Sequence, residues 1–142
     1  MNEVQVHVTR DVPFAVARVW GLLADFGYIG WTPGFEKVDV IGSGPGMIRR
    51  IFMPGMAPID EVLESIDNAA LTFSYSMPRG IPFPVSCYRG NVQLEELPGA
   101  HTRIHWNGHA APKGVSGATI DQILRGQYEQ VLDWLEAHLR DN

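Results

Sequence analysis

The chain has a single cysteine, Cys87, among its 142 residues. One cysteine cannot form an intramolecular disulfide, and it excludes a metal site made of four cysteines. Chains without disulfides are typical of reducing compartments, so we expect a cytoplasmic protein. The N-terminal stretch lacks the apolar core of a signal peptide, and no apolar run approaches the roughly 20 residues that span a bilayer. The sequence therefore predicts no integral membrane association.

The chain also lacks any run of charges of one sign: 19% of its residues are charged, and the net charge is -5. An acidic chain gives no electrostatic reason to bind nucleic acid. The glycine-rich segment 42–46 lacks the Lys-Ser/Thr pair of a phosphate-binding loop and precedes a strand-like segment, so it is interpreted as a hairpin turn. We therefore expect no cofactor and no nucleic-acid partner.

Three histidines recur at every fourth position: His101, His105 and His109. On a helix this spacing would suggest a metal site. The surrounding alternation instead predicts a strand, where residues four apart lie about 13 Å from each other, too far to share one ion. We expect these histidines on the solvent face, opposite Trp106, and we predict no metal site.

Apolar periodicity predicts one domain, residues 1–142, with the order strand, helix, about six strands, helix. The first helix is expected from Asp11 and Pro13 to Asp25. Three prolines between 78 and 84 predict a rigid loop. The C-terminal helix is expected over 118–140, capped by Ser116 or Thr119. The predicted strands cover residues 4–8, 35–41, 47–53, 59–66, 71–77, 85–97 and 101–111.

This order predicts an α+β fold in which a curved antiparallel sheet wraps around the C-terminal helix. The face of the sheet turned to the helix would carry Tyr75, Tyr88 and Trp106 beside Gly90 and Gly108. Polar-tipped aromatics next to small residues are typical of a pocket lining. The alternative is that these aromatics fill a dry core, and the composition does not decide between the two.

Five segments carry a resemblance to a known superfamily: residues 13–31, 61–67, 71–77, 87–88 and 102–106. Together they resemble the helix-grip superfamily, which includes START lipid-transfer domains, the birch-pollen allergen fold and abscisic-acid receptors. Bacterial polyketide cyclase/dehydrase-like proteins look most similar. The resemblance implies a helix-grip fold of six to seven strands with two short helices after the first strand. The segment 78–84 lacks the latch of the hormone receptors, so it does not imply that role.

The resemblance also implies which residues face the cavity. The segment 54–58 occupies the place of the receptors' gate loop, with Met56 at its tip, and Glu61 matches an acidic position facing the cavity. Together with the aromatics of the inner face, the expected ligand-binding residues are Phe52, Met56, Glu61, Phe73, Tyr75, Tyr88, Trp106, Ile120, Leu124 and Tyr128.

Glu61 is the leading candidate for chemistry. If it faces inward, Arg50 or Arg89 could pair with it, and a carboxyl held protonated among tyrosines could serve in an aldol cyclisation. The candidate catalytic residues are Glu61, Tyr88 and Arg50. Val62 and Ile66 favour the opposite orientation, with Glu61 in solvent. Cys87 is expected to be a small buried filler.

Three functions follow as hypotheses. The first is a carrier or sensor that binds a small hydrophobic or aromatic molecule between sheet and helix. The second is an enzyme of the polyketide aromatase/cyclase kind that uses the same cavity. The third is a non-catalytic module that binds a protein partner. The sequence leaves the oligomeric state open, with a homodimer as one alternative.

Overall fold

The computed structural model describes residues 3–142; Met1 and Asn2 lie outside the described part. It contains seven strands and two helices: β1 (Val4–Val12), α1 (Val16–Leu23), β2 (Lys37–Ile41), β3 (Ile48–Phe52), β4 (Ile59–Asp67), β5 (Thr72–Arg79), β6 (Val85–Leu97), β7 (His101–Pro112) and α2 (Gly117–Asp141). Neither helix of this part is long and apolar enough to cross a membrane.

The strands form one antiparallel sheet in the order β1-β7-β6-β5-β4-β3-β2. Alternation along the strands turns one face inward: in β7, Thr102, Ile104, Trp106, Gly108 and Ala110 are buried, and the residues between them are more exposed. The sheet curves around α2, which confirms the helix-grip fold. His101, His105 and His109 lie on the face of β7 opposite Trp106, as expected.

Helix α2 is held mainly against one side of the sheet. Its apolar stripe is buried, and Ser116 caps its start by accepting a hydrogen bond from the Thr119 N–H at 3.1 Å. Arg10 of β1 pairs with Asp133 at 2.7 Å and with Glu129 at 3.0 Å. Helix α2 packs on β1 and β7, and a gap remains between the helix and strands β3 to β5.

One expected element after β1 is missing. The resemblance implies two short helices there, but α1 is the single helix between β1 and β2 in the described part of the chain. Isolated turns follow it, closed by Tyr28 N–H to Asp25 O at 2.9 Å and by Thr32 N–H to Ile29 O at 2.8 Å. Glycine and proline between residues 27 and 34 prevent a longer helix.

The start of α1 also differs from the prediction. β1 continues to Val12, so Asp11 is a strand residue paired with Arg103 at 2.7 Å, and the residue preceding the helix is Ala15.

The proline-rich loop begins later than expected, because β5 runs through Pro78 to Arg79. The register of β4 and β5 shifts at this point, and such an irregularity accommodates a proline in a sheet. Cys87 is exposed, so the expectation of a small buried filler is wrong; it lies on the face of β6 opposite the buried Tyr88.

Candidate ligand-binding cavity

A cavity of about 380 Å³ lies in the gap between α2 and strands β3 to β5. Its walls are mainly apolar and aromatic. They come from the end of α1, the turns after it, the inner face of the sheet and the middle of α2. Its lining includes Leu23, Ile29, Trp31, Ile51, Met53, Ile59, Phe73, Met77, Phe83, Trp106, Val131 and Trp134. Met56, at the tip of the loop between β3 and β4, borders the cavity and is 48% exposed.

Two charged side chains of the described chain border the cavity, and they pair with each other. Arg49 of β3 and Glu61 of β4 are direct partners across the two strands, and Arg49 Nε donates to Glu61 Oε1 at 2.6 Å. A second nitrogen of Arg49 donates to the carbonyl of Phe26 at 2.8 Å, and the guanidinium carbon lies 3.9 Å from the centre of the Phe26 ring. The side chains are only 12% and 10% exposed. The cavity wall thus carries an ion pair without net charge.

The expected partner of Glu61 was wrong. Arg50 points to the opposite face of β3, where it donates two hydrogen bonds to Asp60 at 2.7 and 3.1 Å. These bonds lower the pKa of Asp60 below its usual value. Arg89 pairs with Glu3 at 3.2 Å. Glu61 is therefore paired with Arg49, an arginine on its own face of the sheet.

Three tyrosine hydroxyls meet at one end of the cavity. Trp106 Nε1 donates to Tyr75 Oη at 3.1 Å, Tyr75 Oη lies 3.2 Å from Tyr88 Oη, and Tyr88 Oη is hydrogen-bonded to Tyr128 Oη. These four side chains come from β7, β5, β6 and α2, and all four border the cavity. They form one continuous hydrogen-bonded chain, which we call the tyrosine chain.

Burial keeps these tyrosines protonated. It raises the pKa of Tyr75 to about 12, and the nearby negative charge of Glu61 adds to this rise. The pKa values of Tyr88 and Tyr128 are raised for the same main reason, burial, with further contributions from neighbouring tyrosines. At neutral pH all three hydroxyls therefore keep their protons and act as neutral hydrogen-bonding groups.

Two glycines make room for this chain. A Cβ on Gly90 would lie 2.3 Å from the Tyr75 ring, and a Cβ on Gly108 would lie 1.9 Å from the Tyr128 hydroxyl oxygen. Both separations are far below van der Waals contact. The space left by these glycines is therefore occupied by tyrosine side chains, which corrects the interpretation that small residues here leave room for a ligand.

The structure places the predicted site residues in two groups. Seven border the cavity: Met56, Glu61, Phe73, Tyr75, Tyr88, Trp106 and Tyr128. Phe52, Ile120, Leu124 and Arg50 are not part of its lining. Phe52 lies on the outer side of β3, with Lys37 Nζ 4.5 Å from its ring centre. Ile120 and Leu124 are fully buried in the core, because the first half of α2 packs directly onto the sheet.

Other lining residues were not predicted as ligand contacts. Arg49 and Ile51 alternate on the inner face of β3, and Val131 and Trp134 follow Tyr128 along the same side of α2. The spacing of three from Tyr128 to Val131 to Trp134 was a signal that could have identified the helix residues. No comparable pattern marks the turn that supplies Ile29.

The fold is shared with several solved structures. XoxI from Bacillus cereus superposes with a TM-score of 0.85 at 23% identity, covering 97% of this chain and 96% of that chain. Ara h 8.0201 gives a TM-score of 0.81 at 15% identity, with 99% and 100% covered. Norcoclaurine synthase from Thalictrum flavum, in complex with dopamine and hydroxybenzaldehyde, gives 0.76 at 18% identity, with 99% and 88% covered.

These identities are low, so the likeness to solved structures establishes the fold alone. No curated protein sequence matches the chain. A family model does match, and it covers residues 3–140, almost the whole length. The chain belongs to the family described as polyketide cyclase / dehydrase and lipid transport.

Proposed function

We propose that this protein binds a small, uncharged, largely apolar molecule in the cavity between its sheet and α2, as a carrier or sensor. The observation that carries the proposal is the cavity of about 380 Å³ lined mainly by apolar and aromatic side chains. Small-molecule sites are typically about 300–1,000 Å³ and combine apolar walls with a few polar groups. A dry cavity of about 150 Å³ is already large enough to hold benzene.

The electrostatics favour an uncharged molecule. Arg49 and Glu61 neutralise each other at 2.6 Å, and the tyrosines beside them are neutral. An ionised guest would lose its hydration without meeting a free counter-charge, which is costly in an apolar site. Affinity would come mainly from apolar burial, at about 25 cal/mol per Å².

The first experiment is native mass spectrometry of freshly purified protein, scored for retained small molecules. The same spectrum reports whether the protein is a monomer or a homodimer. An intact, uncharged hydrophobic molecule released on denaturation supports the proposal. Titration with 2-ethylnaphthalene, followed by tryptophan fluorescence, tests the cavity directly, since Trp31, Trp106 and Trp134 border it.

Two neighbouring residues of β3 offer a matched pair of variants. Ile51 faces the cavity and Phe52 does not, so Ile51→Trp should narrow the cavity and weaken binding of 2-ethylnaphthalene, and Phe52→Trp should leave binding intact. Equal binding by wild type and Ile51→Trp would refute the proposed site. A chain that retains nothing and binds no apolar probe would instead favour a protein-partner role.

A second candidate function is enzymatic, because a carboxylate and tyrosine hydroxyls border one cavity. Glu61 would remove a proton from the carbon next to a substrate carbonyl, and a tyrosine hydroxyl would hydrogen-bond the resulting enolate oxygen. Norcoclaurine synthase shows that an enzyme can use this fold. The test is deuterium exchange at the methyl group of bound 2-acetylnaphthalene: catalysed exchange that is lost in Glu61→Gln supports an enzyme, and exchange at the solution rate supports a carrier.

A further inference from the structure

Two histidines meet on the outer face of the sheet, away from the cavity. His7 of β1 and His105 of β7 come from neighbouring strands, and His7 Nε2 lies 3.2 Å from His105 Nδ1. The ring centres are 5.4 Å apart, and the ring planes differ by 26°. Histidines four apart in one strand are too distant to share an ion, but these two lie side by side on adjacent strands.

The separation of the two nitrogens fits a single tetrahedral metal ion. Zn²⁺ binds histidine nitrogens at about 2.0–2.1 Å, so nitrogens 3.2 Å apart subtend an angle of about 100–106° at a shared ion. The ideal tetrahedral angle is about 109°. The His7 side chain is exposed, so its ring can rotate slightly to admit the ion.

Glu95 of β6 determines which nitrogen of His105 is free to bind. Its Oε1 lies 3.1 Å from His105 Nε2, so in the neutral ring Nε2 carries the proton and donates it to the carboxylate. His105 Nδ1 then keeps its lone pair and accepts the bond from His7 Nε2. An ion between the rings replaces that bond, and the proton of neutral His7 moves to its Nδ1.

This carboxylate is a characteristic part of metal sites. Histidines that bind metals almost always donate their other ring N–H to a carboxylate, a carbonyl or water, which orients the ring and makes the binding nitrogen more basic. Glu95 is in that position relative to His105 before any ion is bound. The pair therefore has a partner that favours metal binding, as well as the spacing for it.

Polar side chains surround the histidine pair. An open hollow on this face is lined by His7, His105, Glu95, Gln93 and Asn107. Gln93 is the direct cross-strand partner of His105, and Asn107 is that of His7. Among residues 3–142 no group of three or more His, Cys, Asp or Glu side chains could hold a metal ion, so two histidines and water supply the ligands.

We propose that His7 Nε2 and His105 Nδ1 bind one Zn²⁺ ion on the outer face of the sheet, with Glu95 as a positioning residue. The ion ties β1, at the edge of the sheet, to β7. Arg125 of α2 donates to the carbonyl oxygen of His7 at 3.2 Å, so the helix is held at the same point. The site is independent of the cavity, because Trp106, next to His105, faces the other side of the sheet.

The test uses the chain without a histidine tag and ZnCl₂ alone, at about pH 7.5. Isothermal titration should show one Zn²⁺ per chain. ¹H–¹⁵N spectra of the imidazoles should show metal-bound shifts at His7 Nε2 and His105 Nδ1, with His105 Nε2 still protonated. Absence of saturable binding, or shifts confined to His101, His109 and His138, would overturn the proposal, and neither measurement requires a variant.

Two histidine variants and a matched control test the ligands. His7→Gln and His105→Gln should each abolish the one-to-one binding of Zn²⁺, and His101→Gln, in the same strand as His105, should leave it unchanged. Zn²⁺ should raise the temperature of unfolding of wild type but not of His7→Gln, because it binds the folded pair. Circular dichroism checks that each variant folds. Unchanged affinity in a folded His7→Gln or His105→Gln protein would contradict the assignment.

A second matched pair tests the positioning residue. Glu95→Ala removes the carboxylate that bonds to His105, and Glu96→Ala removes the same charge from the next position of β6. Glu95→Ala should lower Zn²⁺ affinity by about tenfold to a hundredfold, the usual cost of losing such a partner, and Glu96→Ala should have a much smaller effect. Equal affinities in the two variants would show that Glu95 does not position His105. Affinity for 2-ethylnaphthalene should be the same in all of these proteins.

Discussion

Gly90 of β6 and Gly108 of β7 lie directly opposite each other in the sheet. On the inner face, this pair leaves a gap two side chains wide, which Tyr75 enters from the neighbouring strand and Tyr128 from the helix above. Two residues without side chains therefore allow two of the largest side chains to bring their hydroxyls to Tyr88, between them. The tyrosine chain depends on this gap as much as on the tyrosines.

Gly108→Ala should therefore destabilise the fold. The new Cβ would lie 1.9 Å from Tyr128 Oη, so the hydroxyl must move and its bond to Tyr88 must break. Overpacking of this kind costs about 1–3 kcal/mol, which urea unfolding would measure. The matched control is Gly126→Ala in α2, where nothing lies within 4 Å and alanine should stabilise the helix by about 0.8 kcal/mol. A Gly108→Ala protein as stable as wild type would show that Tyr128 is not held there.

Stability should fall at alkaline pH because of the same tyrosines. Their pKa values are raised in the folded protein, to about 12 for Tyr75, so the folded state holds its hydroxyl protons more tightly than the unfolded chain does. The unfolded tyrosines ionise near pH 10, so the contribution of each one is complete below that pH and is lost as the pH rises through its raised pKa in the folded protein. Within that window each such tyrosine lowers the free energy of unfolding by about 1.4 kcal/mol per pH unit.

The contribution of a single tyrosine to this pH dependence can be measured with a phenylalanine variant. Urea unfolding of wild type and Tyr88→Phe is measured between pH 9 and 11.5, and the difference between the two proteins removes the contributions of the groups that they share. The difference in stability between the two proteins should narrow as the pH rises, because the variant has lost one titrating group. Parallel curves would show that Tyr88 ionises normally and is not buried as described.

The sequence predicted the fold well because its main signals are local. Alternation fixed the limits of β6 at Val85 and Leu97, and the apolar stripe with Ser116 at its start fixed α2 to within one residue at either end. These patterns depend on which face of an element is buried, and burial repeats every two residues in a strand or about every 3.6 in a helix.

The site was harder to predict because it depends on breaks in those patterns. Val62 and Ile66 are four residues apart, so an unbroken strand would turn both to the same face. That pattern favoured an exposed Glu61 on the opposite face. The register of β4 and β5 shifts between Leu63 and Ser65, so Ile66 pairs with the inward Phe73 and Glu61 still faces the cavity. A bulge inserts one residue and reverses the alternation beyond it. Nothing in the composition of β4 marks its position.

Removal of Arg49 alone should be more harmful than removal of both members of the ion pair. Arg49→Met leaves the Glu61 carboxylate facing the cavity without its partner, and breaking a buried pair in this way costs about 3 kcal/mol. The double variant with Arg49→Met and Glu61→Leu should recover most of that loss, since apolar groups of similar size often replace buried pairs without penalty. A double-mutant cycle by urea unfolding measures the recovery, and additive losses would contradict it.

Arg50, by contrast, should affect stability without affecting binding. It lowers the pKa of Asp60, so the contribution of that carboxylate is present above the ordinary carboxyl pKa and is lost as the pH falls through the lowered value. In Arg50→Met the difference in stability from wild type should be largest near pH 7 and should shrink below about pH 4. Affinity for 2-ethylnaphthalene should not change. A folded Arg50→Met protein that no longer binds 2-ethylnaphthalene would show that Arg50 contributes to the binding site after all.

The first half of α2 packs in the core, and the part from Tyr128 onward borders the cavity. Two substitutions by alanine test this division. Leu124 is fully buried against the sheet and lies outside the cavity lining, and Val131 borders the cavity. Leu124→Ala should cost about 2–5 kcal/mol of stability with little change in affinity for 2-ethylnaphthalene. Val131→Ala should cost less stability, because its side chain is only partly buried, and should weaken binding of the probe. Equal losses of affinity in the two variants would mean that the cavity extends under the first half of α2, where the resemblance to the hormone receptors had placed it.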